Sequence, residues 1–486
     1  MSLRDHTLLE LRELLTSGAC SATELTETYL AALASDDSNA VIAIHREQAL
    51  AQAKAADANH AAGQAGPLNG LPIVHKDVFL TQDHISTAGS RMLENFVAPY
   101  NATVVERLAA AGAVTLGKAN MDEFAMGSSN ENSFFGPVAN PWSPDRVPGG
   151  SSGGSAAAVS GGLAAAATGT DTGGSIRQPA SFCGITGLKP TYGRTPRYGM
   201  IAFASSLDQA GSMTRDAKDA ALMLAVMAGF DARDSTSARR HDPWLDEFLH
   251  NPVPAPAAPM TIGLPKQYFA GYTGTEIDAL RAEFERAGHK FVEVSLPHTE
   301  AAIAAYYVIA GAEASTNLSR FDGVRYGHRC QDPTSLEDLY QRSRSEGFGS
   351  EVKRRILTGT YALSVGYYEA YYLKAQQIRR LIANDFSQAF ETVDVLLTPT
   401  TPGVAFQRDE LSQDPVAMYQ QDVFTVPISL AGLPAMSIPC GLRDGLPIGA
   451  QLIAPSFCED RILALACEYQ GHSDWHRLQP ATSHSE

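Results

Sequence analysis

The sequence predicts an α/β fold, and three observations predict it. Short apolar runs at 71–74 and 113–116 have the length of buried strands. Helical stretches such as 103–111 alternate with them, which is the pattern of layered sheet and helix. Hydrophobic residues are 44% and charged residues 19% of 486, enough apolar material for a sizeable core. By length the chain suits one large or two ordinary domains. With no internal repeat or low-complexity tail, 1–486 reads as a single domain. Its N-terminal helical segment covers about 1–65 and packs on the rest, and a decorated middle covers about 230–390.

Taken in order, two helices open the chain. Thr7 with Glu10, and Ser21 with Glu24, fit the capping box in which hydroxyl and carboxylate satisfy a helix's first free amides. Leu8, Leu11 and Leu15, then Leu25, Tyr29 and Leu33, follow at helical spacing. An alanine-rich third helix is expected at 45–62, and all three read as cover for a core. From 140 to 196 Gly, Ser, Ala and Thr dominate, permitting close backbone approach and positive-φ turns. A helix at 216–229 precedes a polar, proline-bearing stretch to 259, a candidate boundary or surface excursion. Strands at 260–264 and 291–294 flank a helix at 276–287. Aromatic-rich helices at 301–318 and 352–383 come next, then a strand at 393–397 running into a turn at 398–402.

Charge and cysteine usage exclude several functions. A net charge of -16 disfavours direct binding to nucleic acid, though a partner can still present one. The six cysteines lie far apart with no C-x-x-C pair, which argues against a disulfide framework and a zinc site; no metal is expected in the chain. Residues 1–24 hold no uninterrupted apolar run, and 153–170 is too small and weakly apolar to span a bilayer. The expected setting is the reducing cytoplasm, with no membrane contact.

Three segments carry chemistry. They are Gly70-Leu-Pro-Ile-Val-His-Lys76-Asp77, Pro148-Gly-Gly-Ser151-Ser-Gly-Gly-Ser155 and Gly169-Thr-Asp171-Thr-Gly-Gly-Ser175-Ile-Arg177. Acyl transfer needs a nucleophile, a base for its proton and backbone amides aimed at the oxyanion. Thr172, Gly173 and Gly174, with Ser175, can supply such amides, because glycines let successive N–H groups converge. A lysine base must be neutral, so its pKa of about 10.4 must fall by roughly 3–5 units, which burial at a strand end can achieve. Lys76 follows the apolar run 71–74; His75 and Asp77 should face the other way.

Blander readings compete. A Gly/Ser run alone is usually a loop or a close-packing device. Residues 149–153 also fit G-x-S-x-G, but no downstream histidine has a fitting context. No G-x-x-x-x-G-K-[ST] phosphate loop occurs. Asp171 with Arg177 reads as an ion pair shaping the loop, and Cys183 as a small buried residue.

Together the three segments resemble the amidase signature family. The resemblance implies a central mixed sheet flanked by helices on both faces, and a Ser–cis-Ser–Lys triad of Ser175, Ser151 and Lys76. The Gly150–Ser151 peptide would be cis. Further stretches resemble one branch of the family, the A subunits of bacterial aspartyl/glutamyl-tRNA amidotransferases: Asn120 to Asn130, Ser319 to Gly327, Val352 to Ile356 and Pro439 to Gly441. The similarity runs from about Thr7 to Leu478. It implies a glutaminase whose substrate is gripped by Tyr306, Arg355 and Asp422, one cation and one anion for a zwitterion; Arg354 beside Arg355 is separated from it by motif alignment alone. It also implies partner subunits B and C in a heterotrimer, with ATP, magnesium and tRNA held by the partner and none of these in this chain. Ammonia would pass to that partner to amidate Glu-tRNA(Gln) or Asp-tRNA(Asn). A stand-alone amidase acting on small or peptide amides, and a non-enzymatic scaffold, are the rival readings.

Overall fold

A computed structural model describes residues 2–254 and 258–481, so residues 255–257 of the expected excursion lie outside the described residues. Eleven strands form one sheet: β1 (Val41–Ile44), β2 (Pro72–Lys76), β3 (Val114–Ala119), β4 (Ala166–Asp171), β5 (Thr186–Lys189), β6 (Gln209–Thr214), β7 (Thr261–Pro265), β8 (Lys290–Val294), β9 (Val395–Pro399), β10 (Ala435–Arg443) and β11 (Leu446–Ile453). Their order is β1-β3-β2-β4-β6-β5-β10-β11-β9-β7-β8. β2 runs parallel to both β3 and β4, and β7 to both β8 and β9. The remaining pairs are antiparallel, so the sheet is mixed as expected.

Successive side chains on a strand point to opposite faces, and the core divides accordingly. On β9, Leu396 packs into one apolar cluster while Val395 and Leu397 pack into another. β10 and β11 alternate likewise, with Ala435 and Ile453 on the first face and Met436, Ile438, Ala450 and Leu452 on the second. The opening helices, Leu8–Ser17 and Ala22–Ala34, join the first cluster through the expected Leu8, Leu11, Leu15, Leu25, Tyr29 and Leu33, all buried. Thr7 and Glu10 close a reciprocal capping box, and Ser21 accepts from the Glu24 amide at 3.0 Å.

The strands at 71–74, 113–116, 260–264, 291–294 and 393–397 all form, each within two residues of its expected start. β4, β5 and β6 carry no apolar run: Ala166-Ala-Thr-Gly-Thr-Asp171 is buried throughout by packing of small residues. The single helix expected at 352–383 is broken. Ser350–Ala362 stops, a wide turn occupies Tyr368–Leu373, and Lys374–Ala389 resumes. Gly366, at φ +84°, takes a left-handed conformation that no α-helix contains.

Helix Ala302–Asn317 and helix Ser350–Ala362 cross where Gly311 meets Gly359. A Cβ on Gly359 would fall 1.9 Å from the Gly311 carbonyl oxygen. Alanine in place of glycine adds about 1 kcal/mol of helix propensity, whereas overpacking costs about 1–3 kcal/mol. The clash involves backbone and cannot relax by rotamer change, so it should win. Gly359→Ala is expected to lower the urea unfolding midpoint; a raised midpoint would show that the helices do not cross this closely.

Candidate active site

Parallel pairing of β2 with β4 brings two of the three segments side by side. β2 ends on Lys76, and β4 runs through Thr170 and Asp171 into the loop 172–175 that opens helix Arg177–Cys183. The third segment enters helix Gly153–Ser160, which packs on both strands. Lys76 is fully buried, and its Nζ donates to Ser151 Oγ at 2.8 Å, Ser152 Oγ at 2.8 Å and Thr170 Oγ1 at 2.9 Å. Three hydroxyls and no carboxylate are its hydrogen-bond partners among the described residues. Burial lowers its pKa to about 7 against the pull of Asp122, Asp171 and Asp208. That places a neutral amine within reach near physiological pH.

The Gly150–Ser151 peptide is cis. Ser152, which shares Lys76 with Ser151, donates its amide to the Ser175 carbonyl at 3.2 Å, so the two serine segments are tied together. Ser175 is 7% exposed, and its hydroxyl makes no hydrogen bond among the described residues. The Lys76–Ser151 link is therefore closed here and the Ser151–Ser175 link open, as catalytic hydrogen bonds often are before substrate arrives. The amides of Thr172, Gly173, Gly174 and Ser175 likewise donate to no acceptor among the described residues, which leaves them free to meet an oxyanion.

Buried contacts hold this loop. Arg177 grips Asp171 through Nε and Nη2, both at 2.9 Å, and both residues are fully buried. Burial alone would raise the Asp171 carboxyl, but Arg177 reverses the effect and leaves it below the usual range. Arg177 also donates to Thr425 O, Gln451 Oε1 and Ser429 Oγ. The pair shapes the loop rather than reacting. Thr172 Oγ1 donates to Asp208 at 2.7 Å, and Thr425 Oγ1 to the Gly173 carbonyl at 2.6 Å.

Of the three residues expected to grip substrate, Tyr306 and Asp422 lie against that loop, and Arg355 lies near enough for its charge to act on both. The Tyr306 ring lies where a Cβ on Gly173 would be, at 2.7 Å. Asp422 Oδ1 is 3.1 Å from the Cβ position of Gly174, whose φ of +151° itself disfavours a side chain. Asp422 accepts at Oδ2 from Ser128 Oγ, while its buried Oδ1 has no partner among the described residues. Burial pushes its carboxyl up to about 7. Arg355 is buried among the rings of Tyr307, Tyr419 and Phe203, with its Nε on Glu351 Oε1 at 2.8 Å. Arg354 points outward, its side chain 47% exposed, so the structure separates the two arginines that the sequence left side by side.

The competing residues settle elsewhere. His75 bonds the hydroxyls of Thr168 and Thr115, and Asp77 pairs with Lys118 at 3.5 Å. Cys183 is buried against the Pro148 carbonyl, and its surroundings push the thiol pKa up. Sequence reasoning missed Ser128, Glu351, Asp122 and Asp208. Asp122 packs its Oδ2 where a Cβ on Gly150 would be, at 2.0 Å, and donates its amide to Ser151 O at 3.2 Å. Asp122 and Ser128 lie within the stretch Asn120 to Asn130, which carried the resemblance but gave neither a role; Glu351 and Asp208 lie in no such stretch, and all four act across the fold. Among the described residues no cluster of metal-ligating side chains is found, and no helix is long and apolar enough to cross a membrane.

Residues 24–463 match the Amidase family. The A subunit of glutamyl-tRNA(Gln) amidotransferase from Hahella chejuensis is 60% identical over 98% of this chain and 99% of its own length. The crystal structure of the corresponding A subunit from Thermotoga maritima superposes with a TM-score of 0.79 at 36% identity, over 99% of this chain and 98% of that one. Peptide amidase from Stenotrophomonas maltophilia superposes with a TM-score of 0.82 at 30% identity, over 98% of each chain.

Two expectations follow from the geometry. Arg177→Met leaves the Asp171 carboxylate buried and unpaired, so it should cost about 3–5 kcal/mol of stability, read by chemical denaturation. Lys76 gains a proton, and Asp422 loses its charge, as pH falls through about 7. Log kcat/KM for amide hydrolysis should therefore fall below pH 7 with a slope between one and two; a flat profile down to pH 5 would remove Lys76 as the base.

Proposed function

The chain belongs to the amidase family, and from that premise we propose that it is the glutamine-hydrolysing A subunit of a tRNA-dependent amidotransferase. The single observation that carries the substrate is the unpartnered Oδ1 of Asp422, buried beside the glycine loop and shaped for an ammonium. Arg355, wrapped in aromatic rings, supplies the matching cation for an α-carboxylate. Fold alone does not choose between readings, since the peptide amidase superposes as well as the amidotransferase chain does. Sequence identity over the full chain, together with a clamp for a zwitterion, favours glutamine.

In this reading the Ser175 hydroxyl attacks the carboxamide carbon. Its proton moves to Ser151 Oγ as Ser151 passes its own to the neutral Lys76 Nζ. The amides of Thr172 to Ser175 hold the oxyanion; one such donor contributes roughly 3–4 kcal/mol. Collapse returns the proton through Ser151 to the leaving nitrogen, releasing ammonia and a Ser175 ester. Water, deprotonated along the same route, then hydrolyses the ester to glutamate. Ammonia passes to a partner that holds ATP, magnesium and Glu-tRNA(Gln), and subunits B and C complete a heterotrimer in the cytoplasm. An exposed aromatic group, Tyr361, Tyr367 and Tyr371, is the kind of surface a partner covers.

Ammonia release from a panel of glutamine, asparagine, simple amides and a peptide amide tests this. The tagged protein should be purified from its own cells so that partners accompany it. Release should be confined to glutamine and asparagine and be lost about 10⁶-fold in Ser175→Ala. Asp422→Asn should raise KM for glutamine roughly 100-fold, the order of one buried charged contact. A lone chain that cleaves simple or peptide amides and ignores glutamine would keep the triad and sink the amidotransferase role.

A further inference from the structure

Helix Ser350–Ala362, which carries Arg355, begins without a capping side chain of its own. Gly349 stands at its N-cap position with no side chain to offer. The acceptor comes instead from Glu123, 226 residues away, whose Oε2 and Oε1 receive the Gly349 amide at 2.9 and 3.1 Å. The fit is tight: a Cβ on Gly349 would lie 2.3 Å from Glu123 Oε2. Glu123 is 3% exposed, also accepts from Ser90 Oγ, and has its own amide fixed on Asn132 Oδ1 at 2.8 Å.

The segment that bears Glu123 also touches the rest of the site. Asp122 lies on the Gly150–Ser151 peptide, and Ser128 holds Asp422. Phe124 packs between Phe321 and Phe348, which closes the gap to the start of the Arg355 helix. Farther along, that helix meets the Tyr306 helix where Gly359 lies against Gly311 and where Arg355 lies over the Tyr307 ring. The paired glycines allow close approach but themselves offer no side-chain knob to fix register along the axis. A directional hydrogen bond from the Gly349 amide at the helix start can fix it.

From this geometry we infer that Glu123 is a positioning residue for substrate recognition: it sets how far Arg355 reaches toward the substrate carboxylate. One segment, 122–130, thereby registers both halves of the clamp, Arg355 through Glu123 and Asp422 through Ser128. The inference rests on the reading that Arg355 takes the α-carboxylate of glutamine.

The test is glutaminase kinetics on the protein purified with whatever partners accompany it, for Glu123→Ala, Glu123→Gln, Arg355→Gln and the Glu123→Ala/Arg355→Gln double variant. Glu123→Ala should raise KM for glutamine about tenfold and leave kcat within threefold. Glu123→Gln keeps one acceptor oxygen for the Gly349 amide and should recover most of that loss. In the double variant KM should match Arg355→Gln alone, because the tether has nothing left to place. If Glu123 variants leave KM unchanged while Arg355→Gln raises it, the inference fails and the clamp stands. If effects on KM multiply in the double variant, or kcat falls as much as KM rises, Glu123 acts on general stability and the inference also fails. Should Glu123→Ala not fold, Glu123→Asp, whose shorter side chain withdraws the carboxylate from the Gly349 amide, carries the same comparison alone and combined with Arg355→Gln. An unchanged KM in Arg355→Gln would overturn the clamp itself.

Discussion

An amine sealed inside a sheet can accept a proton at neutral pH only where nothing beside it stabilises the charge more than burial opposes it. Lys76 meets that condition through three hydroxyls that can donate or accept as its protonation changes. Lys118, equally buried, is also lowered by burial, but it is tied to a carboxylate, Asp77 at 3.5 Å, and donates to the Phe79 carbonyl. Lys189 is the sharper contrast. Burial lowers it to about 7 as well, yet among the described residues its Nζ donates only to the carbonyls of Pro190 and Leu433. Those oxygens can receive a proton bond but cannot pass one on. A lowered pKa therefore does not mark a base; the chemistry of its neighbours does.

Everything near Lys76 follows from keeping that pocket closed while leaving Ser175 reachable. The carboxylates whose fields reach the amine are each engaged elsewhere: Asp171 by Arg177, Asp208 by Thr172 and two backbone amides, and Asp122 through Oδ2 by the Asn130 amide, its buried Oδ1 having no partner among the described residues. Each negative charge is spent on shaping backbone, and none bonds Lys76 directly. The same contacts place the 172–175 amides, so the base and the oxyanion site are not independently adjustable.

The substrate side obeys a different constraint, close approach. Tyr306 against Gly173 and Asp422 against Gly174 leave no room for a Cβ, so both side chains lie against the loop that leads into Ser175, where in the proposed reading they help to clamp a small zwitterion. Asp422 at about 7 is poised to be ionised by the ligand itself, since a bound ammonium favours the carboxylate. A free carboxylate oxygen in a buried site is costly, and in the proposed reading the substrate ammonium satisfies it.

Part of this was legible in the chain. Lys76, Ser151, Ser175 and the Thr172–Gly174 amides sit in three short strings, each ambiguous alone and legible in combination, and the apolar runs of β2, β3, β7, β8 and β9 announce strands by themselves. β4 to β6 were not legible, because packed Ala, Gly, Ser and Thr bury without an apolar signature. Nor was the break near Gly366, where a single left-handed residue outweighs a helical pattern. Only the tertiary structure decided which of Arg354 and Arg355 faces inward, since adjacent helical positions differ by about 100° and the sequence does not say which face is covered. Only it paired Ser128 with Asp422 and Glu123 with Gly349, contacts spanning 294 and 226 residues. Sequence fixes the chemical groups and their local geometry; long-range contacts are set by how helices register on the sheet, and that information is spread over the whole core rather than written beside the residues it places.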